Sequence, residues 1–146
     1  MKKISIVTSC YNEQDNVQEL AQRIRDVFAA LPQYEYEHLF IDNASQDTTQ
    51  EKLRRLAAND KHIKVIINNR NFGPERSGGN AILQTSGLAV VCMAADLQNP
   101  PEMIVEFLQH WEAGHKIVGA IKTQSEESWL FRHARAIYYD LVQRMS

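Results

Sequence analysis

The chain has 146 residues, 44% of them apolar and 23% charged, and carries a net charge of −2 at neutral pH. That length suits one domain of about 100–200 residues, large enough to build a core without disulfide or metal staples. The composition excludes a disordered chain, and the near-neutral charge gives no general electrostatic reason to bind nucleic acid or an anionic membrane.

In chain order, residues 4–8 (ISIVT) read as a first strand. After a polar turn, Val17, Leu20, Ile24, Val27, Phe28 and Leu31 recur at spacings of three and four, one apolar stripe on a helix that Pro32 stops. Residues 38–42 (HLFID) form a second strand, and Ser45 or Asp47 is the expected N-cap of a helix carrying Leu53, Leu56 and Ala57. A third strand covers residues 63–67 (IKVII), followed by a long polar loop, 68–80, and a helix containing Ala81, Ile82 and Leu83.

Residues 88–93 (LAVVCM) give a fourth strand. Pro100 and Pro101 sit where the next helix is expected to begin, and Gly114 where it ends. Residues 116–121 (KIVGAI) read as a fifth strand and 129–145 as a last helix. Strands alternating with helices predict an α/β fold, a mainly parallel Rossmann-like sheet with helices on both faces, formed by residues 1–146 as a single domain.

Two distant cysteines, Cys10 and Cys92, are expected to be reduced and partly buried, as in a cytoplasmic protein. The apolar stretch at the start is too short and too polar for a signal peptide, and the longest apolar run, 88–95, is far below the ~20 residues needed to cross a bilayer.

In an open parallel sheet, ligands bind beyond the carboxyl ends of the strands. Polar groups follow four of these strands: Ser9, Tyr11, Asn12 and Glu13; Asp42, Asn43 and Ser45; Asn71, Gly73 and Arg76; Asp96, Gln98 and Asn99. Singly, each has a plain reading. Asp42 can cap a helix, Tyr11 cover the sheet edge, Asn71 to Gly73 make a turn, and Arg76 lie on a solvated surface. Asp96 and Gln98, two apart, point the same way if their segment is extended, and their hard oxygens suit Mg²⁺ or Mn²⁺; otherwise Asp96 caps the helix after it. A dinucleotide fingerprint is absent after the first strand, and SCYNE there is not the acidic pair of a phospho-acceptor regulatory domain.

The order SIVTSCYNE, FIDNASQDT, NRNFG and AADLQNPPE, with DLQNPPE its most specific part, resembles family 2 glycosyltransferases. Within them it is most similar to the branch of dolichyl-phosphate-mannose synthase and the bacterial polyprenyl-phosphate glycosyltransferases. The resemblance implies the nucleotide-sugar-binding half of a GT-A fold and a role in cell-wall or lipopolysaccharide biosynthesis. It implies nucleotide contacts from Ser9, Tyr11, Glu13, Asp42, Asn43, Asn71 and Arg76, with Asp96 catalytic and, together with Gln98, holding Mg²⁺ or Mn²⁺. Where the branch commonly has aspartates, this chain has Asn43 and Ala94.

The reaction implied is inverting transfer from a nucleotide-diphosphate sugar to a polyprenyl phosphate or a glycan. The full-length form is expected at the cytoplasmic face of the membrane. The chain itself is expected to be an N-terminal piece, inactive alone, with the apolar stripe of the last helix offering a homo-oligomer contact. A non-catalytic nucleotide-binding or interaction module on the same scaffold is the alternative.

Overall fold

The computed structural model describes residues 1–121 and Tyr138. All regular elements below lie in a compact unit, Met1–Lys116; a second unit, Ile117–Ser146, contains the remaining described residues. Four strands, β1 (Lys2–Cys10), β2 (Tyr34–Asp42), β3 (Ile63–Ile67) and β4 (Ala89–Cys92), alternate with α1 (Val17–Ala29), α2 (Thr49–Asn59), α3 (Pro74–Leu83) and α4 (Met103–Glu112).

The sheet runs β3-β2-β1-β4 with every pair parallel. Lys2 pairs with Tyr34 and Cys10 with Asp42 along β1 and β2; Ile4 pairs with Ala89 and Val7 with Cys92 along β1 and β4. Because side chains alternate along a strand, β1, β2 and β3 each feed two cores, while β4 feeds one. Ile4, Ile6, Cys10, Phe40, Val91 and Met93 meet α1, α2 and α4 through Leu20, Ile24, Leu53, Ile104 and Leu108. On the opposite face Val7, Leu39 and Ile41 meet Ala81 of α3. The doubly covered parallel sheet is the architecture expected from the sequence.

Several local expectations are corrected. The helix expected only after residue 80 begins at Pro74, inside the polar loop. Proline stands at the first helical position after Gly73, whose φ of 84° ends the loop. Burial of Ser77 and Ala81, one turn apart, outweighs the poor helix propensity of Gly78 and Gly79. Neither expected N-cap residue occupies that position in α2, where Thr48 stands and makes no side-chain cap bond. Asp47 Oδ1 instead accepts from the Thr49 N–H at 2.9 Å.

Pro100 and Pro101 lie in the turn before α4 rather than in the helix, while Gly114, with φ 99°, follows its end as expected. Residues 117–121 form no strand, and Ile117 and Ile121 are exposed. A strand exists only as a paired ladder, so apolar content without a partner is not enough. Cys10 is buried but Cys92 is exposed, and both are free thiols. The expected helix at 129–145 lies outside the described residues apart from Tyr138, which is helical and exposed. Among the described residues, no helix is long and apolar enough to cross a membrane.

Candidate functional site

The parallel sheet brings all four carboxyl strand ends to one edge. The order β3-β2-β1-β4 also means that the chain leaves β1 toward β2 on one side and returns to β4 on the other. The crevice beyond the ends of β1 and β4 is therefore the topological switch point, where such sheets receive ligands. Residues 11–13 leave β1 and residues 94–98 follow β4 there; the Met93 N–H, bonded to Val7 O at 2.9 Å, extends the β1–β4 ladder to the start of the second segment.

Backbone strain collects at this edge. Among the described residues, the non-glycine residues with positive φ are Asn12 (57°), Ala44 (62°) and Leu97 (58°), in the turns after β1, β2 and β4. Gly73 makes the corresponding turn after β3. Left-handed backbone is costly for Ala and Leu, and persists where surrounding contacts over-determine it, as at ligand sites.

The turns after β1 and β2 are laced together. The Asn12 N–H donates to Ser45 Oγ (2.9 Å) and the Gln46 N–H to Asn12 Oδ1 (2.9 Å). The Glu13 N–H donates to Thr49 Oγ1 (2.9 Å) and the Gln14 N–H to Asp47 Oδ2 (3.3 Å). Gln14 Oε1 accepts from Thr48 N–H and Oγ1, and Gln14 O from Lys52 Nζ. Tyr11 projects at the rim of this rigid corner, 43% exposed, and Glu13 accepts from Asn16 Nδ2 at 2.7 Å.

Asp42 and Asn43 are consecutive and face opposite sides of the sheet. Asp42, fully buried, turns toward α2: it accepts from the Ser45 hydroxyl, from the Ser45 N–H at 3.0 Å and from Gln50 Nε2 at 2.9 Å. Beside it, burial raises the Cys10 thiol, with the charges of Asp42 and Glu13 adding to the effect, so this cysteine is not a ready nucleophile. Asn43 turns toward α3 and bonds with Ser9, Asn68, Phe72, Gly73 and Ser77. The sequence pointed to Asp42 and Asn43 as strand-end groups but not to their separation by the sheet.

Beyond β3, Asn68, Phe72, Arg76, Ser77 and Asn80 line a pocket of about 230 Å³. Arg76 is exposed, and Arg70 lies over the Phe72 ring at 4.6 Å. Asn71, also exposed, accepts the Gly73 N–H at 2.8 Å and so stabilises the turn. Asn68, Ser77 and Gln50 were not singled out from the sequence. The one signal for Ser77 is its place one helical turn before buried Ala81.

After β4, Asp96 and Gln98 are exposed in a turn rather than in an extended segment. Leu97 between them is left-handed, and the Gln98 N–H donates to Asp96 Oδ1 at 3.1 Å. Simple alternation along a strand therefore does not govern their directions, and Asp96 bonds within its own turn rather than capping α4. Among the described residues there is no group of three or more His, Cys, Asp or Glu able to hold a metal. The hard oxygens of Asp96 and Gln98 fit a cation such as Mg²⁺ or Mn²⁺, which completes its shell with water and phosphate rather than with a full protein cage.

Solved structures share this fold. A Pyrobaculum calidifontis mannosyltransferase, PcManGT, solved with GDP-Man and Mn²⁺, aligns with a TM-score of 0.65 at 21% identity, over 80% of this chain and 33% of its own. S. aureus TarS 1–349 aligns with a TM-score of 0.63 at 19% identity, over 87% of this chain and 40% of its own. The same protein has been solved with UDP-GlcNAc. These are GT-A glycosyltransferases, and the likeness establishes the fold.

Two curated relatives are closer in sequence. The glycosyltransferase YkcC of Bacillus subtilis (strain 168) is 34% identical over 143 residues, 97% of this chain and 44% of the relative. The glycosyltransferase sll0501 of Synechocystis sp. is 33% identical over 145 residues, 99% of this chain and 45% of the relative. The chain thus spans less than half the length of these relatives. Residues 5–145 match the model of glycosyl transferase family 2, and with four parallel strand ends opening on one polar edge, the chain belongs to that family.

Proposed function

We propose that this chain is the donor-binding part of an inverting, metal-dependent glycosyltransferase that takes a nucleotide-diphosphate sugar. The observation that carries the reading is the position of Tyr11, Glu13, Asp96 and Gln98 in the turns after β1 and β4, the switch point of a family 2 fold. Solved relatives of the same fold hold UDP-GlcNAc, or GDP-Man with Mn²⁺, which supports the ligand class.

In this reading the exposed Tyr11 ring stacks on the base, while Asp42 and the laced turns after β1 and β2 hold the nucleoside side of the site. Arg76 lies at the start of α3, where its charge and the helix dipole favour an anionic group. Asp96 and Gln98 would hold a divalent cation, which would supply neutralisation of charge on the departing nucleotide. The acceptor is a polyprenyl phosphate; it is ionised at neutral pH, so its oxygen attacks the anomeric carbon with little need for a general base. With a net charge of only −2, the chain relies on these local groups to hold the diphosphate.

Calorimetric titration with UDP, GDP and CDP, each with and without Mn²⁺, tests the proposal. The expected result is metal-dependent binding of one nucleotide in preference to the others. Binding of none, or equal binding of all three without metal, overturns it.

A further inference from the structure

Asn43 was expected among the ligand contacts, yet the residue is only 2% exposed and its side chain is already spoken for. Its Oδ1 accepts from Asn68 Nδ2 at 3.0 Å, from the Ser77 hydroxyl and from the Phe72 N–H at 3.4 Å. Its Nδ2 donates to Ser9 Oγ and to Gly73 O, each at 3.4 Å. These partners fix which end of the amide is which. Phe72 N–H only donates and Gly73 O only accepts, so a flipped amide would oppose like groups at both. Both amide hydrogens and the oxygen are thereby used, and the group retains no hydrogen to offer a ligand.

The partners have one thing in common. Asn68, Phe72 and Ser77 are three of the five residues lining the pocket between the loop after β3 and the start of α3. The fourth and fifth, Arg76 and Asn80, sit on the same helix as Ser77. Removing the Asn43 side chain would leave the Asn68 amide, the Ser77 hydroxyl and the Phe72 N–H without their shared acceptor. A direct bond from Asn68 Nδ2 to Ser77 Oγ at 3.0 Å also joins the loop to α3, and the Asn43 oxygen braces both of its ends.

We propose that Asn43 is a positioning residue for the donor: it touches no ligand and instead sets the pocket formed by Asn68, Phe72, Arg76, Ser77 and Asn80, which receives part of the nucleotide sugar. The inference rests on the donor-binding reading above and divides the labour of two adjacent residues. Asp42 serves the α2 side of the sheet with the turns after β1 and β2. Asn43 serves the α3 side and acts only through the pocket wall.

The test is calorimetric titration of Asn43→Ala, Ser77→Ala and the double variant with the preferred nucleotide and Mn²⁺, at a temperature where each is folded. Leu39→Ala, in the core beneath α3 and not among the residues that line the pocket, serves as a stability control. Asn43→Ala is expected to weaken binding about tenfold, in line with one or two lost buried hydrogen bonds, and Ser77→Ala about threefold. The double variant should bind no worse than about twofold below Asn43→Ala, because Asn43, Asn68 and Ser77 form one bonded cluster that either change disrupts. Leu39→Ala should lower the melting temperature while binding like the unaltered chain.

Unchanged affinity in Asn43→Ala overturns the inference alone. So does an equal loss of affinity in Leu39→Ala, since binding would then simply follow stability. Full additivity in the double variant overturns it too, because Asn43 would then act independently of the pocket wall. If Asn43→Ala does not fold, Ser77→Ala decides, and unchanged affinity there counts against it. Failure of the unaltered chain to bind any nucleotide removes the donor-binding reading itself, and this inference with it.

Discussion

The metal site proposed at Asp96 would contain little protein. In that proposal the chain would contribute one carboxylate, one neighbouring amide oxygen and a turn held by the Gln98 N–H. Each proposed ligand would therefore carry a large share of the metal's hold. Asp96→Asn retains size and a hydrogen-bond acceptor but removes the charge, and is expected to abolish the Mn²⁺ dependence of nucleotide binding without changing the unfolding free energy by more than about 0.5 kcal/mol, as usual for an exposed site. Calorimetry with and without Mn²⁺, beside urea unfolding, checks both halves; a variant that still needs the metal argues against this role. The residue type and its DLQ setting were legible in the sequence. The direction of its side chain was not, because a left-handed Leu97 between the two candidate ligands replaces the extended geometry that alternation assumes.

The turns after β1 and β2 act as one element, although they are separated in sequence by α1 and β2. Gln14 is central: its backbone N–H, its backbone oxygen and its side-chain oxygen each bond to the second turn or to α2. Gln14→Ala keeps the two backbone contacts and loses the acceptor for Thr48. Amide exchange at Thr48 is expected to quicken by about tenfold, the scale of one lost hydrogen bond, while amides of β1 keep their protection. Exchange at Thr48 as slow as in the unaltered chain would show that the turns are held by other contacts. The strands themselves were legible as apolar runs because parallel strands are buried on both faces. The cross-links were not, since they join residues whose closeness depends on β1 and β2 being neighbours in the sheet.

At the scale of the whole molecule, two buried ionisable groups tie stability to pH. Burial alone would raise the Glu37 carboxyl, but hydrogen bonds from Lys64, Ser5, the Ser86 N–H and Lys3 outweigh it and hold the group well below the usual carboxylate range. Burial lowers His38 to about 3, against a weaker opposing pull from Asp60, and keeps its ring neutral beside Thr8. Both folded-state values are depressed, so both contributions are present at neutral pH and are lost on acidification, His38 below about 6.5 and Glu37 below about 4.3. Urea unfolding is expected to show a loss of about 2 kcal/mol between pH 6.5 and pH 5, nearly all from His38, and His38→Phe should flatten that slope. Equal stability of the unaltered chain at the two pH values would rule out a neutral buried His38 as the cause.

The order of apolar runs and polar turns by itself determined that this chain builds a parallel α/β sheet with a polar carboxyl edge, and the order of its motifs pointed to family 2. Those features are local, set by side-chain period and turn chemistry, and so they can be read along the chain. Only the tertiary structure decided that the fifth apolar run stays out of the sheet, that α3 starts at Pro74 within a polar stretch, and that Asp42 and Asn43 serve opposite faces. Each of those outcomes depends on which distant group is present to pair, pack or hydrogen-bond, and a sequence read residue by residue does not contain that information.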